Sequence, residues 1–389
     1  MKGFTSKLPD VGTTIFTVVT QRAQELGAIN LAQGFPDYDI SPDLAALLDK
    51  HVRAGRNQYA PMTGAVELRQ AIARKIARSH GVTVDPDGEI TITVGGTEAL
   101  FSAVSATIAT GDEAIMFDPA YDSYDPAVRL AGGRCVHLPL TPPRFEIPWD
   151  RLRAALTPRT RLVMINNPHN PACTALERAD LDTLAEILRP TNVLLLADEV
   201  YEHIVLDGRR HHSVLAHPEL RERSFAAFSF GKTFHATGWR LGYCVAPPEL
   251  TAEFRKVHQF NTFSVFAPEQ YAIAEYLDRY PERLDELPGF FQRKRDLFCG
   301  LLEGSEFSWT PAQGTYFQLL DFSALSDADD LPFADTLLRE AGVAAIPLAP
   351  FYQDPPKLTV VRFCFAKRDA TLEQGAERLR AWRPQAARR

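Results

Sequence analysis

The chain has 389 residues, 45% hydrophobic and 23% charged, an ordinary globular composition that is too long for one small core and points to two domains. Acidic residues outnumber basic ones, 49 to 42, and the longest basic run is Arg293-Lys294-Arg295, which excludes a nucleic-acid groove from the expected functions. Five cysteines, odd in number, scattered and without a C-x-x-C pair, argue against a disulfide framework or thiolate zinc site and fit a reducing cytoplasm.

Met1 to Asp10 is polar, and later apolar runs fall far short of the ~20 residues of a membrane helix, so neither signal peptide nor membrane span is expected. Ile15 to Leu26 reads as a helix that packs with the C-terminal part of the chain. From about residue 90, short apolar runs alternate with amphipathic stretches: Ile90 to Val94, Glu98 to Ala109, Glu113 to Phe117. Further strands are expected at Arg134 to Leu138, Arg161 to Ile165, Val193 to Ala197, Phe225 to Phe230 and Leu241 to Val245, with a helix over Asp180 to Leu188. This rhythm predicts an α/β fold with a mostly parallel sheet covered by helices on both faces. After about residue 270 longer helices follow (Glu269 to Arg279, Gly289 to Leu302, Asp335 to Ala341), with strands at Thr315 to Leu320 and Leu358 to Phe365. The expected division is a large domain over 40–275 and a smaller α+β domain from 1–39 and 276–389.

Ser229-Phe230-Gly231-Lys232-Thr233 ends like a phosphate loop, but such a loop needs a glycine five positions before Gly231, where Ala226 stands. In its Phe-flanked setting Lys232 has its ammonium form disfavoured, which makes the amine a nucleophile; a lone lysine is more often a solvated surface residue. Asp198 follows the apolar run Val193 to Ala197 and so lies at a strand's C-terminal end, where ligands collect in open sheets. A carboxylate buried there needs a cationic partner, such as a protonated pyridine nitrogen; the plainer reading is a helix N-cap. Asn166-Asn167-Pro168-His169-Asn170-Pro171 follows another apolar strand, and its prolines hold it as a turn. Arg362, flanked by Val361 and Phe363, demands an anion, either a substrate carboxylate or a carboxylate of the chain itself. The histidines suggest no catalytic metal: His211 and His212 are adjacent, and His169, His203 and His235 lie in separate segments.

Asn-Pro-x-Asn-Pro, Asp-Glu-x-Tyr, and Ser-x-Gly-Lys with Thr-Gly-Trp-Arg-x-Gly-Tyr, in this order, resemble the class I aminotransferases of the pyridoxal-phosphate fold type I, and the resemblance covers nearly the whole chain. Segments such as Gln33 to Asp37, Asn57 to Gly64, Ser229 to Tyr243 and Val343 to Pro347 are most similar to the bacterial methionine aminotransferases, with the kynurenine aminotransferase and glutamine transaminase branch next. The resemblance implies pyridoxal 5′-phosphate carried on Lys232, which then moves the substrate proton; Asp198 on the pyridine nitrogen; Tyr201 and Asn170 on the phenolic oxygen; and Tyr121 stacked on the ring. It implies a phosphate cup of Gly96, Thr97, Ser229 and Arg240, completed by Tyr59 of a second subunit, hence a homodimer with active sites at the subunit interface. Arg362 and Asn170 would take the substrate α-carboxylate, with Gly34, Phe35 and Phe16 beside the substrate and Tyr38, Phe234, Phe263 and Phe317 as further side-chain pocket candidates.

The expected activity is ping-pong transfer of the α-amino group of methionine and other apolar, aromatic or glutamine-like amino acids to a 2-oxo acid. The alternative is a pyridoxal-phosphate carbon-sulfur β-lyase built on the same lysine, aspartate and arginine. A regulator carrying a helix-turn-helix ahead of this fold is disfavoured, because only about 30 residues precede the first motif.

Overall fold

The apolar run that ends in Asp198 is the middle strand of a seven-stranded sheet. The computed structural model describes residue 3 and residues 5–384. In chain order its strands are β1 (Ile29–Asn30), β2 (Ile90–Thr93), β3 (Glu113–Asp118), β4 (Arg134–Pro139), β5 (Thr160–Asn166), β6 (Leu194–Asp198), β7 (Ser224–Ser229), β8 (Gly242–Val245), β9 (Phe317–Asp321), β10 (Val343–Ala344), β11 (Ile346–Pro347) and β12 (Val360–Cys364).

The large sheet has the order β2-β8-β7-β6-β5-β3-β4. Only β8 runs against the others. Alternation along the strands feeds two apolar layers. Leu195, Ala197, Ala226 and Phe228 belong to one layer, together with Ile72 and Ile76 of the helix Val66–His80 and Leu181 and Leu184 of the helix Arg178–Leu188. Leu196, Phe225 and Ala227 belong to the other, with Ala99 and Ala103 of the helix Gly95–Thr107 and Phe254 of the helix Pro248–Asn261. Burial on both faces is why these strands carry apolar residues at nearly every position.

A second, antiparallel sheet has the order β11-β12-β9. The helix Ile15–Glu25 packs here, through Val19 and Ala23 against Leu338, Ala344, Ile346 and Phe351. β1 pairs with β10 in parallel and ties the two ends of the chain together.

Several helices begin a few residues earlier than the sequence pattern predicts, and two of them more than a turn earlier. The one expected from Gly289 runs over Glu282–Leu301 with Pro288 inside it. An interior proline costs about 3 kcal/mol, and here burial of Leu284, Leu287, Phe291 and Phe298 along the same helix outweighs it. The one expected from Asp335 spans Asp330–Glu340; Pro332 lies in its first turn, where a backbone N–H has no intrahelical partner to lose. Asp198 ends a strand rather than capping a helix. No helix among the described residues is long and apolar enough to cross a membrane.

Candidate active site

Three adjacent strands deliver polar side chains to the same edge of the large sheet: Asn166 ends β5, Asp198 ends β6 and Ser229 ends β7. Around them Gly96, Thr97, Tyr121, Asn170, Tyr201, Lys232 and Arg240 line one cavity. The sequence reading takes these residues from five separate segments. It misses Asn166, Leu100 and Val200, which line the same cavity, and Tyr124, which bonds Asp198. The signal for Asn166 is present, since it is the last residue of an apolar strand and opens the Asn-Asn-Pro turn.

One end of the cavity is built for an anion. The helix Gly95–Thr107 begins there, and its first-turn N–H groups have no intrahelical acceptor. Gly95 has φ +71, and a Cβ on it would stand 2.8 Å from Arg240 Nη2; a Cβ on Gly96 would stand 2.7 Å from Val200 Cγ1. Arg240 is itself held in the left-handed region, φ 61 and ψ 43, which turns its side chain toward this corner. Ser229 lies beside it at the head of the short helix Phe230–Thr233 that carries Lys232.

The same cavity holds a buried carboxylate, Asp198, with no salt bridge among the described residues. Burial pushes the Asp198 carboxyl up to about 6, opposed by a hydrogen bond donated by Tyr124 and another from the Val200 backbone N–H. Asn166 Nδ2 donates to the Asp198 carbonyl at 2.8 Å and its Oδ1 accepts from Asn170 N at 2.6 Å, locking the two turns together. Burial, then the charge of Arg240, push the Lys232 ammonium down to about 8. Its Nζ stands 5.7 Å from the ring centroids of Tyr201 and Tyr316.

Arg362 enters from β12 and is 1% exposed. Its guanidinium lies 3.8 Å from the Phe317 ring centroid and 5.4 Å from that of Phe16. Nη1 donates to Asn170 Oδ1, Nη2 to the Ala32 carbonyl at 3.4 Å, and Nε has no hydrogen-bond partner among the described residues. No salt bridge to Arg362 forms among those residues, although its charge reaches the Asp122 carboxyl and lowers that pKa against the larger effect of burial. Burial holds its pKa below the usual arginine range.

The family model "Aminotransferase class I and II" matches residues 27–379. The chain belongs to the class I and II aminotransferases. It is 50% identical over 375 residues to the methionine aminotransferase of Escherichia coli, covering 96% of this chain and 97% of that protein. A crystal structure of an E. coli protein with methionine aminotransferase function superposes with a TM-score of 0.96 at 50% identity, over 97% of this chain and 99% of that one. The N-succinyldiaminopimelate aminotransferase of Mycobacterium tuberculosis superposes with a TM-score of 0.93 at 38% identity, over 97% and 99% of the two chains. Human kynurenine–oxoglutarate transaminase 1 is 32% identical over 396 residues, 93% of this chain and 94% of that protein.

The aminotransferase fold works with pyridoxal 5′-phosphate, and the cavity's donor set suits that group. Glycines that leave no room for a Cβ beside Arg240 and Val200, a buried carboxylate and a lysine of lowered pKa come together around the one cavity. The remaining sequence candidates are placed less uniformly. Phe16 and Phe317 flank Arg362, and Gly34 sits against the Phe317 ring with its carbonyl accepting from Tyr316 Oη at 2.6 Å. Phe35 lies under Lys367 Nζ, 5.0 Å from its ring centroid. Tyr38 and Phe234 line a different cavity with His235 and Phe290. Tyr59 is 81% exposed and contacts Phe263 at 5.3 Å between centroids, and neither is among the residues lining this chain's cavity.

Proposed function

We propose that this aminotransferase takes its amino group from methionine and from other apolar, aromatic or glutamine-like amino acids, and that Lys232, Asp198 and Tyr201 carry the reaction. The observation that carries the reading is Arg362: a buried guanidinium with no carboxylate partner among the described residues, stacked on Phe317 beside Phe16. An α-carboxylate meeting that fork forms a charge-assisted bidentate pair, and the flanking phenyl rings favour an apolar side chain over that of aspartate. An apolar pocket separates donors that differ by one methylene by only about 1–3 kcal/mol, so several donors are used. The 50% identity to a methionine aminotransferase supports methionine among them.

Bound pyridoxal phosphate supplies a carbonyl for the substrate amine and a ring that draws electron density from the α-carbon. Asp198 would keep a positive charge at the ring nitrogen, relieving its own unpaired burial. Tyr201 and Asn170 would hydrogen-bond the ring oxygen, and Tyr121 would lie against the ring. Lys232 would hold the group and, when free, move the proton from the substrate α-carbon, a transfer suited to an amine whose pKa is lowered to about 8. Gly96, Thr97, Ser229 and Arg240 would hold the phosphate. We further propose a homodimer in which Tyr59 of one subunit reaches the other's phosphate corner, which accounts for an aromatic side chain left exposed on the single chain. The domain division at residues 40 and 275 and a cytoplasmic setting, to which five unpaired cysteines are suited, complete this reading.

The test is a half-reaction. Cofactor-loaded enzyme given L-methionine without any 2-oxo acid should release one equivalent of the corresponding 2-oxo acid per active site and stop. Release from aspartate but not methionine would overturn the donor assignment, and an unchanged yield in Lys232→Ala would overturn the role of the lysine.

A further inference from the structure

The edge of the large sheet far from β2 carries a cluster that the reaction does not use. Cys135 and His137 alternate along β4 and share one face of the strand. Asp125, in the first turn of the helix Tyr124–Leu130, faces them, and one donor atom from each of the three residues lies within 4.8 Å of the others.

The imidazole is oriented from behind. His137 Nδ1 stands 2.8 Å from Asp118 Oδ1, and Asp118 Oδ2 accepts from the Gln353 backbone N–H at 2.8 Å. A carboxylate acceptor makes Nδ1 the donor, the arrangement by which an outer carboxylate aims a metal-binding histidine. His137 Nε2 is buried and has no hydrogen-bond partner among the described residues. Its nearest carboxylate oxygen, Asp125 Oδ1, is 3.6 Å away, too far for a hydrogen bond. Asp125 keeps that oxygen free because Oδ2 takes the bond from Arg129 Nη1 at 3.0 Å.

Two ligands on a tetrahedral ion with bonds of about 2.0–2.1 Å stand about 3.4 Å apart. The gap between Nε2 and Oδ1 therefore has the separation of two ligands on one ion, which would compete with the proton that now pairs the imidazole with Asp125. We propose that Asp125, Cys135 and His137 bind one divalent ion of the zinc class. The nitrogen, oxygen and sulfur donors select such a borderline ion over magnesium or calcium. The adjoining cavity of about 630 Å³, reached past Asp10 and Asp354, admits the ion and a water as fourth ligand. On binding, the Cys135 thiol and the His137 Nε2–H, which the Asp118 and Asp125 carboxylates hold protonated against burial, each give a proton to solvent, and sulfur and nitrogen bond the metal with no change of oxidation state. The role is structural rather than catalytic: the ion ties the helix Tyr124–Leu130 to the outer strand β4, away from the reacting groups.

Zinc alone, equilibrated with the cofactor-loaded protein and then dialysed, should remain at one ion per chain. Cys135→Ser and His137→Ala should each lower its affinity at least tenfold while leaving the amino-transfer rate unchanged. Cobalt(II) on the unsubstituted protein provides a check that needs no variant, since thiolate ligation gives a sulfur-to-cobalt charge-transfer band. Absence of stoichiometric zinc, absence of that band, or zinc retained equally by both variants would overturn the proposal, the first leaving the cluster as an ion pair only.

Discussion

Tyr124 Oη donates a hydrogen bond of 2.7 Å to Asp198 Oδ2, joining the start of one helix to the end of the central strand. The bond lowers the carboxyl's pKa against the larger effect of burial. A hydrogen bond to a charged group contributes about 1.5–3 kcal/mol. Tyr124→Phe is therefore expected to raise the Asp198 pKa and to reduce kcat about tenfold with little change in KM for the amino donor, as steady-state kinetics across pH would show.

Asp198 also sets a pH dependence in the cofactor-free protein. Its folded pKa of about 6 lies above the ordinary 3.8, so the folded state holds the proton more tightly than the unfolded one. Its contribution to stability is full below about pH 4 and is lost as pH rises through 6, by roughly 3 kcal/mol. Urea midpoints for wild type and Asp198→Asn should converge below about pH 4, separate progressively up to about pH 6 and stay apart above it, with the variant the more stable. Parallel curves would contradict the buried, unpaired carboxylate.

At Arg362 folding and catalysis pull in opposite directions. Its buried charge has no carboxylate partner among the described residues, so Arg362→Met should raise the melting temperature of the cofactor-free protein. The same change should cost about 2–5 kcal/mol in kcat/KM for α-amino acids. Arg362→Lys should recover only part, because an ammonium cannot form the two parallel bonds of a guanidinium.

Behind Tyr201, Glu202 is fully buried and pairs with Lys75, with His80 Nε2 at 2.8 Å and Tyr243 Oη at 3.3 Å. Tyr243 stacks on Phe228 at 4.8 Å between centroids, so this node touches both the Tyr201 segment and the strand leading to Lys232. Removing one charge leaves the other stranded, and Glu202→Ala should destabilise the protein by about 3–5 kcal/mol. The double change Lys75→Met with Glu202→Leu should restore much of that loss in chemical denaturation.

The two glycines at the phosphate corner should differ in tolerance. A Cβ at Gly96 meets a valine methyl at 2.7 Å, whereas one at Gly242 meets the Phe228 carbonyl oxygen at 2.5 Å and the Gly95 backbone at 2.7 Å. Side chains rotate and backbone in a sheet does not, so overpacking of about 1–3 kcal/mol is expected for Gly96→Ala and more for Gly242→Ala. Melting temperatures would rank them.

By itself the sequence determined the βα rhythm, the apolar strands of a doubly covered sheet and the turn residues after them, because each depends on spacing within a few positions. Lys232, Asp198 and Asn170 were legible for the same reason, lying in or beside short motifs at strand ends. The tertiary structure decided which distant groups meet. Tyr124 and Asp198 are 74 positions apart, and Arg362 and Asn170 are 192 apart. Whether Arg362 had an internal carboxylate could not be read from its apolar neighbours, since that depends on what the other sheet places opposite it. Pro288 reads as a barrier to a helix, yet burial of the surrounding leucines and phenylalanines outweighs its lost hydrogen bond. Local pattern fixes the elements; strand order and packing fix the partners, because long-range contacts follow from topology and not from spacing along the chain.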